Sequence, residues 1–265
     1  MRFILKDLFI SSWKKFIKNS IGFRIYNKIQ ESNLLPYQIL ELFVRLNRYA
    51  TIDAIGKNNS YIRLFGNNRK LTLPSISKES HWQFLQSYRW HDPYYSNLIR
   101  IFLVNERVGS FIDIGANQGL RSLDAFNFGW RVEAIEPNMN AINFLKEIAE
   151  KNSFIKSNDL RIHYCCAGNE RQMTELFVDE SSYLSQVKDI YDERRFDNYT
   201  VIESSVVKLK DLIEKYCIDI SSSVCKIDTE GYEIEVLKGF EEYISLINIF
   251  FVELSKSNVD RFVEI

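Results

Sequence analysis

The chain has 265 residues, 46% of them hydrophobic and 26% charged, with a formal net charge of -1. A chain this apolar can bury a large core, which excludes disordered, collagen-like and low-complexity classes. Only ten Gly and four Pro punctuate it, so its glycines are expected where no side chain fits.

The first 30 residues concentrate basic charge. Arg2, Lys6, Lys14, Lys15, Lys18, Arg24 and Lys28 stand against Asp7 alone, which leaves the remainder of the chain acidic. With Phe9, Trp13, Phe16 and Ile17, this head reads either as a surface that docks on an anionic membrane or as a basic helix packed on its own domain. It lacks the long apolar stretch and small-residue cleavage site of a signal peptide. No run of ~18 apolar residues predicts a spanning helix. The resulting expectation is a cytoplasmic protein, in contact with the inner membrane face only on the first of these two readings. The acidic body argues against nucleic acid as a partner.

Residues 1–50 read mostly as helix, interrupted at Pro36. Two short strands follow at 61–65 and 69–73, around a Gly66-Asn67-Asn68 turn and closed by Pro74. Residues 79–105 read as helical and aromatic, with Trp82, Phe84, Tyr88, Trp90, Tyr94 and Tyr95. These features divide the chain into an N-terminal helical and hairpin region, 1–77, and a main domain, 78–265.

From residue 110 strands and helices alternate. Ser110–Ile114 and Val132–Glu136 are strands, with a helix at Gln118–Phe128 between them. Asn138, just after Pro137, caps a helix to Lys151 whose Ala141, Ile142, Leu145, Ile148 and Ala149 share one face. Leu160–Cys166 is a third strand. Strand-like runs occur at 174–178 and 201–209. A helix at Lys210–Tyr216 precedes a strand at Ser223–Ile227. Next comes a helix carrying Val236, Leu237, Phe240, Tyr243 and Ile244 on one face, then a buried strand at Ile247–Leu254. This order implies an α/β fold with a doubly wound, mostly parallel sheet. Ligands of such sheets bind beyond the carboxyl ends of the strands.

Four stretches end predicted strands and so converge on one crevice. Asp113–Gly119 (DIGANQG) is a strand-to-helix turn that places glycines where a ligand approaches. Glu136 follows the next strand, 21 residues beyond Gly115, a spacing suited to an acid that accepts hydrogen bonds from two ribose hydroxyls. A dinucleotide loop needs GxGxxG, but Asn117 and Leu120 stand at its second and third glycine positions. That disfavours a nicotinamide oxidoreductase and points to S-adenosyl-L-methionine, which has no phosphate. At the third stretch, Cys165–Asn169, small side chains such as Ala167 leave room for an adenine ring or simply allow tight packing. The fourth, Lys226–Glu233 (KIDTEGYE), gathers carboxylates and a lysine that are costly to bury without a role. Glu230 and Glu233 also suit a helix N-terminus.

The four Cys, at 165, 166, 217 and 225, form no CxxC pair and read as reduced, buried thiols. His81, His91 and His163 are too scattered for a His-rich metal site.

DIGANQG, then AIEPN, KIDTEGYEIEVLKG and FFVEL, in that order and spacing over residues 78–254, resemble the FkbM family of S-adenosylmethionine-dependent methyltransferases. The resemblance implies a class I methyltransferase (Rossmann-like) fold and O-methylation of a sugar, surface polysaccharide or small natural product. It implies a cofactor loop of Asp113, Gly115, Asn117 and Gly119, with Ala116 inside it, and a ribose site at Glu136 beside Asn138. Its acceptor-side turn is Lys226, Asp228, Glu230 and Gly231. On this reading Asp228 is the general base, with Glu230 or His163 as substitutes. Asp228 and Glu253 together are also positioned to hold a divalent cation, although no metal is assigned. A non-catalytic cofactor-binding or scaffold module is the alternative function. A full class I sheet adds an antiparallel hairpin after its fifth strand, whereas this chain runs only eleven residues past Leu254. The sheet is then shortened, completed by N-terminal strands such as those at 61–73, or cut off by truncation.

Overall fold

The computed structural model describes residues 2–5, 61–63, 70–72, 99, 103, 109–152, 159–179, 185–190, 198–254 and 256–263. Most of the basic head and the aromatic run at 82–95 lie outside them. The described strands are β1 Arg2–Leu5, β2 Tyr61–Arg63, β3 Lys70–Thr72, β4 Ser110–Ile114, β5 Arg131–Ile135, β6 Leu160–His163, β7 Cys166–Gly168, β8 Gln172–Asp179, β9 Ser185–Val187, β10 Tyr199–Lys208, β11 Ser223–Ile227 and β12 Ile249–Val252. The α-helices with described bounds are α1 Leu120–Asn127, α2 Met139–Lys151, α3 Leu209–Tyr216, α4 Glu233–Lys238 and α5 Lys256–Val263. None of the described helices is long and apolar enough to cross a membrane.

The main sheet runs β1-β12-β11-β4-β5-β6, and every pairing in it is parallel. Its inner strands, SFIDI, SVCKI and IFFV, are buried at every position, as expected of parallel strands covered on both faces. Phe111, Val132, Ala134, Val224 and Phe251 face one core, shared with Leu145 and Ile148 of α2. Ile112, Ile114, Ile135, Cys225 and Phe250 face the other, shared with Leu212 of α3 and Leu237 of α4. The strand order reverses between β4 and β11, and that switch opens the crevice at their carboxyl ends.

The sequence readings hold for β4, β11 and the α2 face, whose five named apolar residues are all buried. Asn138 caps α2, its side chain accepting from the Asn140 N–H at 3.0 Å. Several readings need correction. Arg2–Leu5 is a strand rather than helix, because the free edge of β12 offers Phe3, Ile4 and Leu5 a parallel ladder that outweighs local propensity. It occupies a flank of the main sheet that the strands at 61–73 were one of three candidate ways to complete. Among the described residues those strands instead pair with each other, and β3 packs against α2. Leu71 enters its core, and Thr72 exchanges two 2.8 Å hydrogen bonds with Asn152.

The third strand of the α/β series stops at His163. Cys166–Gly168 belongs instead to a second sheet, β7-β10-β8-β9, that gathers the strand-like runs of 170–210. The helix expected across 236–244 is two pieces, α4 and a 3-10 turn at Glu241–Leu246. Gly239 lies at the break, so close to β7 that a Cβ there would sit 2.0 Å from the Gly168 carbonyl oxygen. Helix α1 begins at Leu120 rather than Gln118, with Gly119 as its N-cap. Cys165, Cys166 and Cys225 are buried free thiols, but Cys217 is exposed, as the C-cap of α3.

Candidate active site

The site is built on the carboxyl ends of β4, β5, β11 and β12. After β4 the backbone turns at Gly115, where φ is +71° and a Cβ would lie 1.9 Å from the Asp228 carbonyl oxygen. No other residue fits that contact between the cofactor loop and the β11 turn. The Gly115 and Ala116 N–H groups donate to the Ile135 carbonyl at 3.0 and 3.1 Å. Asn117 sits in the left-handed region, φ 49°, and its N–H donates to Glu136 Oε2 at 2.8 Å. The Asn138 N–H donates to Glu136 Oε1, also at 2.8 Å. Loop and acid therefore form one wall.

Glu136 is buried, and burial pushes its carboxyl up to about 7 against the pull of the Asn138 and Asn117 amides. Each oxygen accepts one backbone hydrogen bond, and a carboxylate oxygen has two lone pairs. When ionised, this buried group is acceptor-only and fits a pair of ribose hydroxyls. Asn138 supports it from behind while its own side chain is spent on the α2 cap.

Asp113 and Lys226 are register partners across β4 and β11, and both side chains are buried. Lys226 Nζ donates to the Gly115 carbonyl at 2.7 Å. It lies 3.3 Å from Asp113 Oδ1 and 3.4 Å from Asp228 Oδ2. The Asp113 contact is an ion pair rather than an aligned hydrogen bond. Ser122 of α1 donates to the other Asp113 oxygen at 2.7 Å. Burial works against the Lys226 charge, yet the Asp228 and Asp113 carboxylates hold its pKa above the ordinary lysine value. Lys226, expected in the catalytic set, thus lies beneath the crevice and ties the loop to Asp228.

Asp228 is partly exposed, with 22% of its side chain accessible, on the turn that follows β11. The Glu253 N–H donates to the Ile227 carbonyl at 2.9 Å, which sets Glu253 at the adjacent strand end. Among the described residues no group of three or more His, Cys, Asp or Glu is gathered as a metal centre. Glu230 lies on the same turn, with φ 58°.

His163 does not join this group. Its Nε2 lies 2.7 Å from Glu133 Oε2 and its ring packs on Tyr216 at 4.7 Å. It stands on β6, three positions from β11 in the sheet. Ala167 is buried in the second sheet, paired with Val207. The size of Gly168 beside it serves packing, since a Cβ there would meet Val206 at 2.6 Å. Burial raises the Cys165 and Cys166 thiols to about 11 and about 12, leaving them protonated and poor nucleophiles.

Sequence reasoning missed three structural supports of the site: Ser122 under Asp113, and Gln186 and Asn258 against the Asp228 turn. Gln186 sits in a stretch with no readable pattern, and Asn258 in a short tail. Only Ser122, on the loop-following helix, was placed where a contact could be foreseen.

No curated protein matches the chain significantly. Among solved structures it is similar to precorrin-6y C5,15-methyltransferase from Geobacter metallireducens, at 10% identity over 65% of this chain and 69% of that one, TM-score 0.37. It is also similar to a SAM-dependent methyltransferase from Agrobacterium tumefaciens, at 13% identity over 46% and 40% of the two chains, TM-score 0.28. A third is 1,6-didemethyltoxoflavin-N1-methyltransferase from Burkholderia thailandensis, with S-adenosylhomocysteine bound, at 12% identity over 63% and 87%, TM-score 0.24. The assignment rests on none of these. The model of the methyltransferase FkbM domain matches residues 113–265, more than half of the chain. That match starts at the aspartate under the cofactor loop and runs through both acidic turns, so the chain belongs to the FkbM methyltransferase family and is an S-adenosylmethionine-dependent methyltransferase.

Proposed function

We propose that the chain methylates a hydroxyl oxygen of a sugar, a surface polysaccharide or a small natural product, with Asp228 as general base. One observation carries this reading. Asp228 packs its backbone against Gly115 of the cofactor loop while its side chain, at the carboxyl end of β11, stays partly accessible. A base so placed borders both the cofactor pocket and the space for an acceptor.

When bound, S-adenosylmethionine supplies a methyl group already activated on a sulfonium. The chain's own task is alignment and proton removal. Glu136 would accept from the ribose hydroxyls, the 115–119 loop would hold the aminoacid end, and the 165–167 stretch would border the adenine side. Alignment of this kind can supply up to ~7–11 kcal/mol. A hydroxyl is a weak nucleophile, and a positioned base that takes its proton is worth ~10²–10⁴-fold. Lys226 acts through Asp228 and the loop as a positioning residue, since its ammonium is buried between them.

The test is Asp228→Asn with labelled cofactor and a panel of methyl glycosides and simple alcohols. The variant should bind S-adenosylhomocysteine like the wild type and lose transfer by at least ~10²-fold. Unchanged turnover removes Asp228 from the mechanism. Binding without turnover in the wild type on every acceptor favours the scaffold alternative.

A further inference from the structure

The turn after β11 is held in a conformation that a non-glycine residue enters only under constraint. Glu230 has φ 58°, in the left-handed region. The peptide that joins Glu230 to Gly231 is gripped from both sides. Its carbonyl accepts from Nε2 of Gln186 at 2.7 Å. Its N–H donates to Oε1 of Glu233 at 2.9 Å. The same Oε1 also accepts from the Thr229 N–H at 3.0 Å. Asn258 completes the arrangement, its Nδ2 donating to Glu233 Oε2 and to the Gly231 carbonyl, both at 2.9 Å.

These three side chains come from β9, α4 and α5, and all are buried, at 3%, 1% and 5% exposure. Burying two amides and a carboxylate costs free energy that apolar residues of the same shape would not. Core filling therefore does not account for them, whereas control of one peptide's orientation does. That peptide fixes the backbone that carries the Glu230 side chain, two residues beyond Asp228. The cofactor loop is held by a different set: Lys226, Glu136 and Ser122.

We propose that Gln186, Glu233 and Asn258 form a clamp of positioning residues that fixes the Glu230–Gly231 peptide for the acceptor. The second sheet and the C-terminal helix are thereby tied to the acceptor side of the site. This inference rests on the reading of the 228–231 turn as that side.

The full chain is tested as wild type, Gln186→Met and Asn258→Leu. Three readouts are compared: S-adenosylhomocysteine affinity by calorimetry, amide hydrogen exchange of peptides covering 228–233 and 113–119, and methyl transfer to the acceptor panel. Loss of the Gln186 bond, or of the two Asn258 bonds, should speed exchange in 228–233 by about tenfold or more and lower kcat by a similar factor. Exchange in 113–119 and cofactor affinity should stay within about twofold of the wild type. Two variants at separate elements guard against a single folding failure. Unchanged exchange in 228–233, or a cofactor affinity that falls in step with it, overturns the clamp. Failure of the underlying reading is seen separately: Asp228→Asn then transfers methyl at the wild-type rate, whatever the clamp variants do.

Discussion

Replacing Lys226 by Met isolates the buried ion network. Met keeps most of the apolar stem and removes only the charge. In the variant, Asp113 retains its Ser122 bond but loses the ammonium 3.3 Å away, in a position with no solvent access. Removing one partner of a buried pair costs ~3–5 kcal/mol, because the remaining charge is left uncompensated. The Gly115 carbonyl also loses its 2.7 Å donor, which adds ~1–3 kcal/mol if nothing replaces it. Since whole domains are stable by only about 5–15 kcal/mol, the loss is large. In urea denaturation followed by circular dichroism, a slope of about 2–3 kcal/mol/M turns it into a midpoint more than about 1 M lower. The double variant Lys226→Met/Asp113→Asn should recover a good part of the loss, because the orphaned charge is gone. A loss below about 1 kcal/mol, or a double variant no more stable than the single one, refutes the network as a structural tie.

Burial pushes the Glu136 carboxyl up to about 7, so its ionised fraction changes steeply around neutrality. If only the carboxylate accepts both hydroxyls, S-adenosylhomocysteine binds about tenfold more weakly at pH 6 than at pH 8, and Glu136→Gln flattens the profile; a wild-type affinity independent of pH refutes this. The raised value also means that Glu136 contributes stability present below pH 4.5 and lost as pH rises through about 7. Docking of the basic head on an anionic membrane predicts that replacing Lys14, Lys15 and Lys18 by Ser weakens co-sedimentation with phosphatidylserine vesicles by roughly 1 kcal/mol per charge. Those changes leave the Arg2–Leu5 strand intact, and equal partitioning of both proteins refutes the docking.

Much of the α/β scaffold was legible because its signals are local. The α2 face repeats at helical spacing, and Asn138 follows Pro137 as a cap. The strands SFIDI and SVCKI are short apolar runs between turn residues. The crevice was legible for a related reason: in a parallel sheet the residue after each strand must lie at one end, so Gly115, Glu136, Asp228 and Glu253 converge by topology alone. Other features depend on long-range partners. Nothing in RFIL announces a strand until β12 presents an unpaired edge. Gln186 and Glu230 are 44 residues apart, and no spacing rule links a polar residue on a short strand to a distant carbonyl. His163 had the right chemistry for a base, but only the fold reveals Glu133 beside it.

The residues alone determined the class of fold and pointed to a nucleoside-containing cofactor and to the turns at the crevice, because periodicity, glycine placement and acid spacing are properties of neighbouring positions; the motifs' resemblance to a family named the cofactor. Tertiary structure decided the rest. It made Lys226 a buried tie, gave the outer edge of β12 to the N-terminal strand, and moved Cys166–Gly168 into a second sheet. It also fixed the Glu230–Gly231 peptide through side chains from three distant elements. Burial and pairing energies depend on what lies across the core, and that is set only when the chain has folded.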